Sequence, residues 1–229
     1  MASNTVSVTT LVPSKAPNIP IGPVEYSQQY QDQFTNVLRL YFNQIDNDWT
    51  SVLGPDGGRY FRFPHISAYD SSNQYALSNT VTTVLWGTLA TGSGFTLNAN
   101  STATCTYSGV YKIDYSLQFA NTDNSAEHDA DVWMKVNGDN VTESATRFSL
   151  AKAKSTNSFN YVCGYSHVTF EVAAGDVISL VWATDQGATA NGSTKGILIQ
   201  ALPSANVPYV RPSIPSSIGT ISFVSAPVS

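Results

Sequence analysis

The distribution of proline is the feature that most constrains what this chain can fold into. Four prolines lie in the first 23 residues and five lie after residue 202, whereas none occurs between Pro64 and Pro203. Proline has no N–H to donate to a β-ladder and is excluded from paired central strands. Residues 65–202 are therefore predicted to form one sheet-rich unit, with extended segments on either side.

Within residues 65–202, apolar and polar side chains alternate over several segments of strand length. These segments are 110–119, 131–136, 159–172, 177–182 and 196–202. In 159–172 the alternation changes phase, which predicts a bulge or bend near 164–167. Phe159, Tyr161, Cys163 and Tyr165 align first, followed by Val168, Phe170 and Val172. Asn137-Gly138 is typical of a hairpin turn. Repeated short strands with turn signals predict an antiparallel β-sandwich.

Composition excludes several classes of protein. Charged residues make up 12% of the chain, against about 25% in an average soluble protein. The net charge is −5 and the basic residues are dispersed, so we expect no nucleic-acid partner. No apolar run reaches membrane-spanning length. The N-terminal residues lack the basic and apolar regions of a signal peptide. We therefore expect no membrane insertion.

Four segments follow from these boundaries. Residues 1–24 are predicted to form an extended N-terminal anchoring arm, and residues 25–58 an amphipathic helix followed by a turn at Asp56–Gly58. Residues 59–202 would form the β-sandwich head, and residues 203–229 an extended, proline-rich C-terminal arm.

Four short motifs in residues 65–202 occur in the order and spacing of a known superfamily. They are Gly109 with Tyr111, Asn137-Gly138, Gly175-Asp176, and Gly196. In this respect the segment resembles the jelly roll of the tumour-necrosis-factor and complement-globular-head superfamily. The resemblance implies trimers packed side by side around an apolar axis, with both termini of the head at one end. It says little about ligand.

Strand parity leads to an independent expectation about the loops. Successive connections of a sandwich alternate between its two ends, so loops 121–130, 151–158 and 185–194 should meet at one end and the Asn137-Gly138 turn should lie at the other. One loop carries the densest ionisable cluster. Its members Asp123, Glu127, His128 and Asp129 are candidate ligand or receptor contacts. Asp123, Glu127 and Asp129 are also a weak calcium candidate, because some members of the resembled superfamily bind calcium there. The alternative is a solvated acidic loop.

No catalytic or cofactor motif is present. The three histidines are too scattered for a zinc site, and no nucleophile elbow occurs. We expect no enzymatic activity and no cofactor. Cys105 and Cys163 are expected to be buried free thiols, since no export signal favours a disulfide.

The helix has a seam of its own. Phe34, Leu38, Tyr41, Ile45, Asp48 and Val52 recur at alternating spacings of four and three. About three heptads is marginal for an isolated coiled coil. The seam therefore predicts either docking on the head or a three-stranded stalk on the axis of a trimer, with Phe34, Leu38, Tyr41, Ile45 and Val52 in contact.

The segment LRLYFNQIDN, followed by a jelly roll, resembles segments of virion structural proteins of tailed bacteriophages. With the low charge, this resemblance favours a trimeric decoration or fibre protein that is located in the virion and contacts other capsid or tail proteins. The alternative is a receptor- or carbohydrate-binding adhesin for host attachment. A remote third hypothesis is an enzyme that degrades a surface glycan.

Overall fold

The computed structural model describes residues 15–19, 21–53, 63–156 and 158–227. The chain divides into two compact units, Met1–Arg62 and Phe63–Ser229. Each is described by itself.

The described residues of the first unit form one helix, α1, at Gln28–Leu53. Ser27 caps it: its Oγ accepts a hydrogen bond from the backbone N–H of Tyr30 at 3.3 Å. The described residues before it, 15–19 and 21–27, contain no helix or strand. The rest of the predicted arm and the predicted turn at Asp56–Gly58 lie outside the described residues. No helix in the described part of the chain is long and apolar enough to cross a membrane.

In the second unit, which we call the head, the described residues form thirteen strands. They are β1 (His65–Asp70), β2 (Thr82–Thr83), β3 (Thr88–Ser93), β4 (Phe95–Leu97), β5 (Ala103–Cys105), β6 (Gly109–Asn121), β7 (His128–Val136), β8 (Asp139–Asn140), β9 (Thr146–Leu150), β10 (Asn160–Val172), β11 (Val177–Thr184), β12 (Ile197–Ile199) and β13 (Ser217–Ser225).

Two antiparallel sheets form the sandwich. The six-stranded sheet has the order β10-β6-β13-β1-β3, with β12 also paired to β6. The seven-stranded sheet has the order β4-β5-β11-β7-β8, with β2 on β11 and β9 on β7. The predicted mainly-β, antiparallel jelly-roll sandwich preceded by a helix is confirmed.

The core lies between the two sheets. Every second residue of β6 points into it, from Tyr111 to Phe119, and all five are almost completely buried. Trp182 of β11, the largest fully buried side chain, meets the ring of Phe119 at 6.0 Å between centroids. The alternation seen in the sequence is therefore the alternation of core and surface.

The predicted C-terminal arm is wrong. β13 lies inside the six-stranded sheet, paired with β1 on one side and β6 on the other. The prolines after residue 202, which led to the prediction of an arm, have a different structural role. β12 and β13 both pair with the same side of β6, at residues 119–121 and 110–117, so they form one strand line interrupted by residues 200–216. Four of the five C-terminal prolines fall in that interruption, because proline cannot stay in the ladder.

We call residues 200–216 the proline-rich hairpin. It is closed by isolated bridges between Leu202 and Ile214 and between Ala205 and Arg211. Arg211 donates hydrogen bonds to the carbonyl oxygens of Pro203 at 2.8 Å and Pro212 at 3.1 Å. The head therefore extends well past residue 202, to Ser225.

The predicted bulge in β10 is also wrong. β10 pairs with β6 without a register shift from Asn160–Asn121 to Val172–Gly109. The inward side continues in phase through Val162, Gly164 and Ser166. A glycine and a serine interrupt the apolar pattern there. The ring of Phe119 fills the space at the glycine, because a Cβ on Gly164 would lie 2.7 Å from that ring.

The two cysteines are free, as expected, but only one is buried. Cys105 lies in the core and Cys163 is exposed on the outer side of β10. The expectation that both thiols are buried fails at Cys163 for the same reason as the bulge, namely the true phase of β10.

Candidate functional site

The loops predicted to share one end of the head do meet there. Asn121 at the end of β6 donates hydrogen bonds from Nδ2 to the carbonyl oxygens of Leu150 at 3.3 Å and Ala151 at 3.1 Å. The backbone N–H of Ala153 donates to the carbonyl of Asp123 at 2.7 Å. At the opposite end, Asn137 and Asp176 are joined by a 2.7 Å side-chain hydrogen bond. We call these the loop end and the turn end.

Both ends of the head's chain lie at the turn end. His65 at the start of β1 pairs with Ser222 near the end of β13, and Ser225 pairs with Val110 at the start of β6. The arrangement implied by the family resemblance is therefore found, although the last strand is β13 and not the segment 196–202.

His128 is the centre of a polar network at the loop end. Its Nε2 lies 3.1 Å from Asp123 Oδ2, and its Nδ1 lies 2.9 Å from Asp185 Oδ2. The His128 side chain is only 11% exposed. Asp185 Oδ1 also accepts the backbone N–H of Asp129 at 2.9 Å. Because both imidazole nitrogens face carboxylates, the ring bridges two loops and has no nitrogen left for a substrate.

The surroundings shift these groups toward their charged forms. Burial acts to lower the pKa of His128, but its hydrogen bonds to Asp185 and Asp123 outweigh burial and raise it. Hydrogen bonds from the Ser125 hydroxyl and backbone N–H, then from His128, lower the pKa of Asp123 to about 2. For Asp185, burial acts to raise the pKa, and the hydrogen bonds from His128 and Asp129 overcome it. These shifts favour a protonated His128 between two ionised carboxylates.

A second charged group lies beside this network on the outer side of the seven-stranded sheet. Arg147 of β9 holds both carboxylate oxygens of Asp131 at 2.8 Å, and this pairing raises the pKa of Arg147. Asp129 accepts the Ser149 hydroxyl at 2.5 Å and lies 3.7 Å from Arg147. With Lys135 of β7, these outward residues define what we call the charged face.

The three carboxylates of the calcium candidate do not converge on one point. Asp123 is turned toward Ser125 and His128, Asp129 toward Ser149, and the Glu127 side chain is exposed. Among the described residues, no three His, Cys, Asp or Glu side chains are placed to hold a metal ion. The acidic loop is a hydrogen-bonded structural network.

The outer side of the six-stranded sheet has a different character. Tyr161, Cys163 and Tyr165 stand in a column along β10, and the two tyrosine side chains are 48% and 59% exposed. These three residues belong to the group whose alternation was noted in the sequence, and their side chains point to the surface. Across the sheet, Tyr165, Ser116, Ile218 and Tyr69 lie opposite one another in one row. We call this surface the aromatic face.

The charged residues beside Tyr165 are paired with each other, and Glu171 lies exposed further along the outer side of β10. Asp114 accepts the Tyr165 hydroxyl at 3.0 Å and pairs with Lys112 at 2.9 Å. That hydrogen bond raises the pKa of Tyr165, so the phenol stays neutral. Ile218, 43% exposed, adds apolar area in the next strand but one. β10 is also an edge strand of its sheet.

The helix seam keeps its register in the structure. Phe34, Leu38, Tyr41, Ile45, Asp48 and Val52 are each partly covered, whereas Leu40, Phe42 and Trp49 are exposed. None of the helix side chains that the structure describes is buried. The rings of Tyr30 and Phe34 stack at 6.0 Å between centroids and extend the seam by one turn.

The sequence interpretation missed three members of these surfaces. Asp185 follows β11 directly, and strand parity already placed its loop beside His128, so it could have been found. Arg147 is a lone cation and carries no motif. Ile218 lies in the strand hidden by the prolines around it.

Comparison with known proteins bears on the fold. No protein-family model and no curated protein matches the sequence. The fold matches 257 chains of solved structure. One of them is the structure of Eiger TNF from S. frugiperda, which is 11% identical with a TM-score of 0.45. The match covers 73% of this chain and 97% of that chain.

Proposed function

We propose that this chain is a non-enzymatic structural component of a bacteriophage virion, located on the capsid or the tail. Three copies associate through their heads and helices. Residues 1–24 and α1 attach the trimer to other virion proteins. The head then forms a rigid, outward-facing body. The C-terminal segment takes no part in attachment, because it completes the head.

The aromatic face is the observation that carries the proposal. It presents two tyrosines and an isoleucine to solvent, and the charged residues beside Tyr165, Asp114 and Lys112, are paired with each other. Cores of protein interfaces are enriched in aromatic residues and depleted of charge. A second copy packed there would remove this apolar area from water at about 25 cal/mol per Å². Closed cyclic symmetry lets every copy be covered in the same way.

The helix supports the same assembly. A seam of seven-residue period with no buried side chain, among those described, needs a partner to exclude water from its apolar residues. Three copies of the seam can supply it to one another. Because about three heptads are marginal alone, association of the heads would favour association of the helices, and the reverse.

The first test is the mass of the purified full-length protein by light scattering after size exclusion. We expect a trimer. A monomer at micromolar concentration contradicts the assembly, whatever the location of the protein.

The second test concerns attachment. Deleting residues 1–24 should leave the head folded and abolish incorporation into particles. A variant in which an equally long Gly-Ser segment replaces residues 1–24 is the matched control for length. Normal incorporation of either variant contradicts the anchoring role.

A second candidate function is host attachment through a surface glycan or a protein receptor. The observation that favours it is the convergence of loops 121–130, 151–158 and 185–194 at the end opposite the termini of the head. A glycan array probed with the full chain tests it. Reproducible binding that is lost on combined substitution of Glu127→Ala and Lys152→Ala, both exposed in those loops, supports attachment. An array without binding contradicts its glycan form.

A further inference from the structure

One edge of the six-stranded sheet is left without a partner strand. β10 lies at the end of that sheet and pairs only with β6. In an antiparallel pair, every second residue directs its N–H and C=O away from the partner strand. Among the described residues, none makes a backbone hydrogen bond to these outward groups of β10. β10 therefore presents a row of unpaired donors and acceptors.

The β10 edge is longer and more regular than the other sheet edges of the head. β10 has 13 residues and pairs without a register shift. At the other ends of the two sheets, β3 has 6 residues and a register shift, β4 has 3 residues and β8 has 2. Sheet edges are commonly protected by short strands, bulges, lysine or proline. β10 has none of these features, so its edge can accept a further strand.

The core-facing side of β10 is also incompletely covered. Val162 and Val168 pack against the core but remain only half-buried. The residues opposite them on β6, Phe119 and Ile113, are 0% exposed. A strand added beside β10 would cover the two valines if its own core-facing side chains were apolar. The missing strand should therefore be apolar on one side and polar on the other.

Residues 5–12, TVSVTTLV, have the required pattern. The segment has no charged residue, glycine or proline, and six of its eight residues are β-branched, which favours a strand. Valine occupies three of the four even positions, and a hydroxyl side chain occupies three of the four odd positions; these are Val6, Val8 and Val12, and Thr5, Ser7 and Thr9. The segment itself lies outside the described residues.

We propose that residues 5–12 of one copy pair with the β10 edge of another copy as an additional strand. The valine side would extend the core beside Val162 and Val168, and the hydroxyl side would lie next to the exposed Cys163. Each copy carries one segment and one edge, so exchange around a closed ring satisfies every copy.

This contact goes beyond the proposed function, because it joins copies of the chain to one another. It leaves residues 13–24 and α1 for attachment to other virion proteins. It does not depend on where the protein is located.

The experiment is disulfide crosslinking of the full-length protein, with Cys163 as a native reporter. Cys163 is exposed on the outer side of β10, whereas Cys105 is buried. Single cysteines replace each of residues 5–9 in turn, and oxidised glutathione serves as the oxidant. Non-reducing electrophoresis separates crosslinks between chains from those within one chain, and mass spectrometry identifies the linked peptides.

We expect disulfides between copies to follow the alternation of a strand. At least one of Thr5→Cys, Ser7→Cys and Thr9→Cys should link to Cys163. Val6→Cys and Val8→Cys should give yields lower by about tenfold or more, because successive side chains of a strand point to opposite sides. Similar yields at successive positions, or no link to Cys163 at any position, overturns the proposal.

Two other products would also overturn it. Links to Cys163 found only within one chain would place the segment on its own head. Links between two Cys163 residues as the main product of every variant would mean that the β10 strands of two copies meet each other instead.

A matched pair of lysine variants tests the assigned sides in the Thr9→Cys background. Val8→Lys places an ammonium group on the core side and should lower the yield about tenfold or more, because that group loses water without gaining a partner. Ser7→Lys places the same charge on the solvent side and should retain most of the yield. Neither substitution alters the head, so a loss cannot come from an unfolded head. Equal yields in the two variants overturn the proposal.

Failure of this contact is distinguishable from failure of the proposed function. A trimer by light scattering without alternating crosslinks rejects the strand exchange and keeps the assembly. Alternating crosslinks between copies of a protein that is absent from virions keep the exchange and reject the virion role.

Discussion

The two outer surfaces of the sandwich expose different kinds of side chain to water. On the charged face, Arg147 pairs with Asp131, and Asp129 accepts the Ser149 hydroxyl, so these charged groups are hydrogen-bonded within the head. On the aromatic face, Tyr161, Tyr165 and Ile218 stand exposed with nothing on the head to cover them. Self-satisfied charges gain little from a partner, whereas exposed apolar area gains by association. We therefore infer that the aromatic face, rather than the charged face, is the surface covered in the proposed assembly.

The strongest way to break this comparison is to place a charge on each face. Ile218→Arg should weaken self-association by about a hundredfold or more, since an unpaired charge buried in an interface costs about 3–5 kcal/mol. Lys135→Glu, on the charged face, is the matched control and should leave the assembly intact. Light scattering over a dilution series measures both. A trimer that survives Ile218→Arg and dissociates with Lys135→Glu would exchange the roles of the two faces.

Substitutions at two adjacent residues of β10 compare the core-facing side of the strand with its solvent-facing side. Gly164→Ala would place a Cβ 2.7 Å from the ring of Phe119 and should lower the free energy of unfolding by about 1–3 kcal/mol through overpacking. Cys163→Ala, one residue earlier and exposed, should change it by less than about 0.5 kcal/mol. Denaturant unfolding measures both. Equal effects would contradict the phase of β10.

The smallest expected effect concerns the pH dependence of the loop end. The raised pKa of His128 means that its contribution to stability is complete below its ordinary value of 6.5 and is lost as pH rises through the folded-state pKa. The lowered pKa of Asp123 means that its contribution is complete above 3.8 and is lost as pH falls toward about 2. The network should therefore stabilise the head most between about pH 4 and 6.5.

His128→Asn tests this window. In the unaltered protein we expect the free energy of unfolding to fall by about 1 kcal/mol between pH 5.5 and 8.5, and the variant should lose most of that difference. Thermal or denaturant unfolding at the two pH values measures it. The distant His167→Asn, on the outer side of β10, is the control and should keep the difference. An unchanged slope in His128→Asn would mean that the imidazole does not bridge the loops in solution.

Much of the fold follows from local pattern. The alternation from Tyr111 to Phe119 identifies β6 and its core side, because a strand buries every second residue. Asn137-Gly138 marks the turn between β7 and β8, since both positions have positive φ. The meeting of loops 121–130, 151–158 and 185–194 follows from parity alone. His128 and Asp123 could therefore be assigned to one site before any distance was known.

The predictions from sequence were wrong in two segments, and in each of them two different residue patterns overlap. Four prolines between β12 and β13 made residues 203–229 resemble an arm, although Ile221 and Phe223 already show the alternation of a strand. In β10, Gly164 faces the core beneath Phe119 and Ser166 follows it on the same side, so the apolar residues on the outer side produced the stronger signal. In both segments, the correct assignment depends on which residues of other strands pack against them in the folded head.

By itself, the sequence determined the strand-forming residues, the helix and its seam, and the low charge of the chain, because these depend on local periodicity and composition. Only the tertiary structure decided which side of β10 meets water, that β13 completes the central sheet, and that Asp185 and Arg147 belong with His128 and Asp131. The physical reason is that burial and ion pairing depend on residues far apart in the chain, whose packing and distances no local pattern encodes.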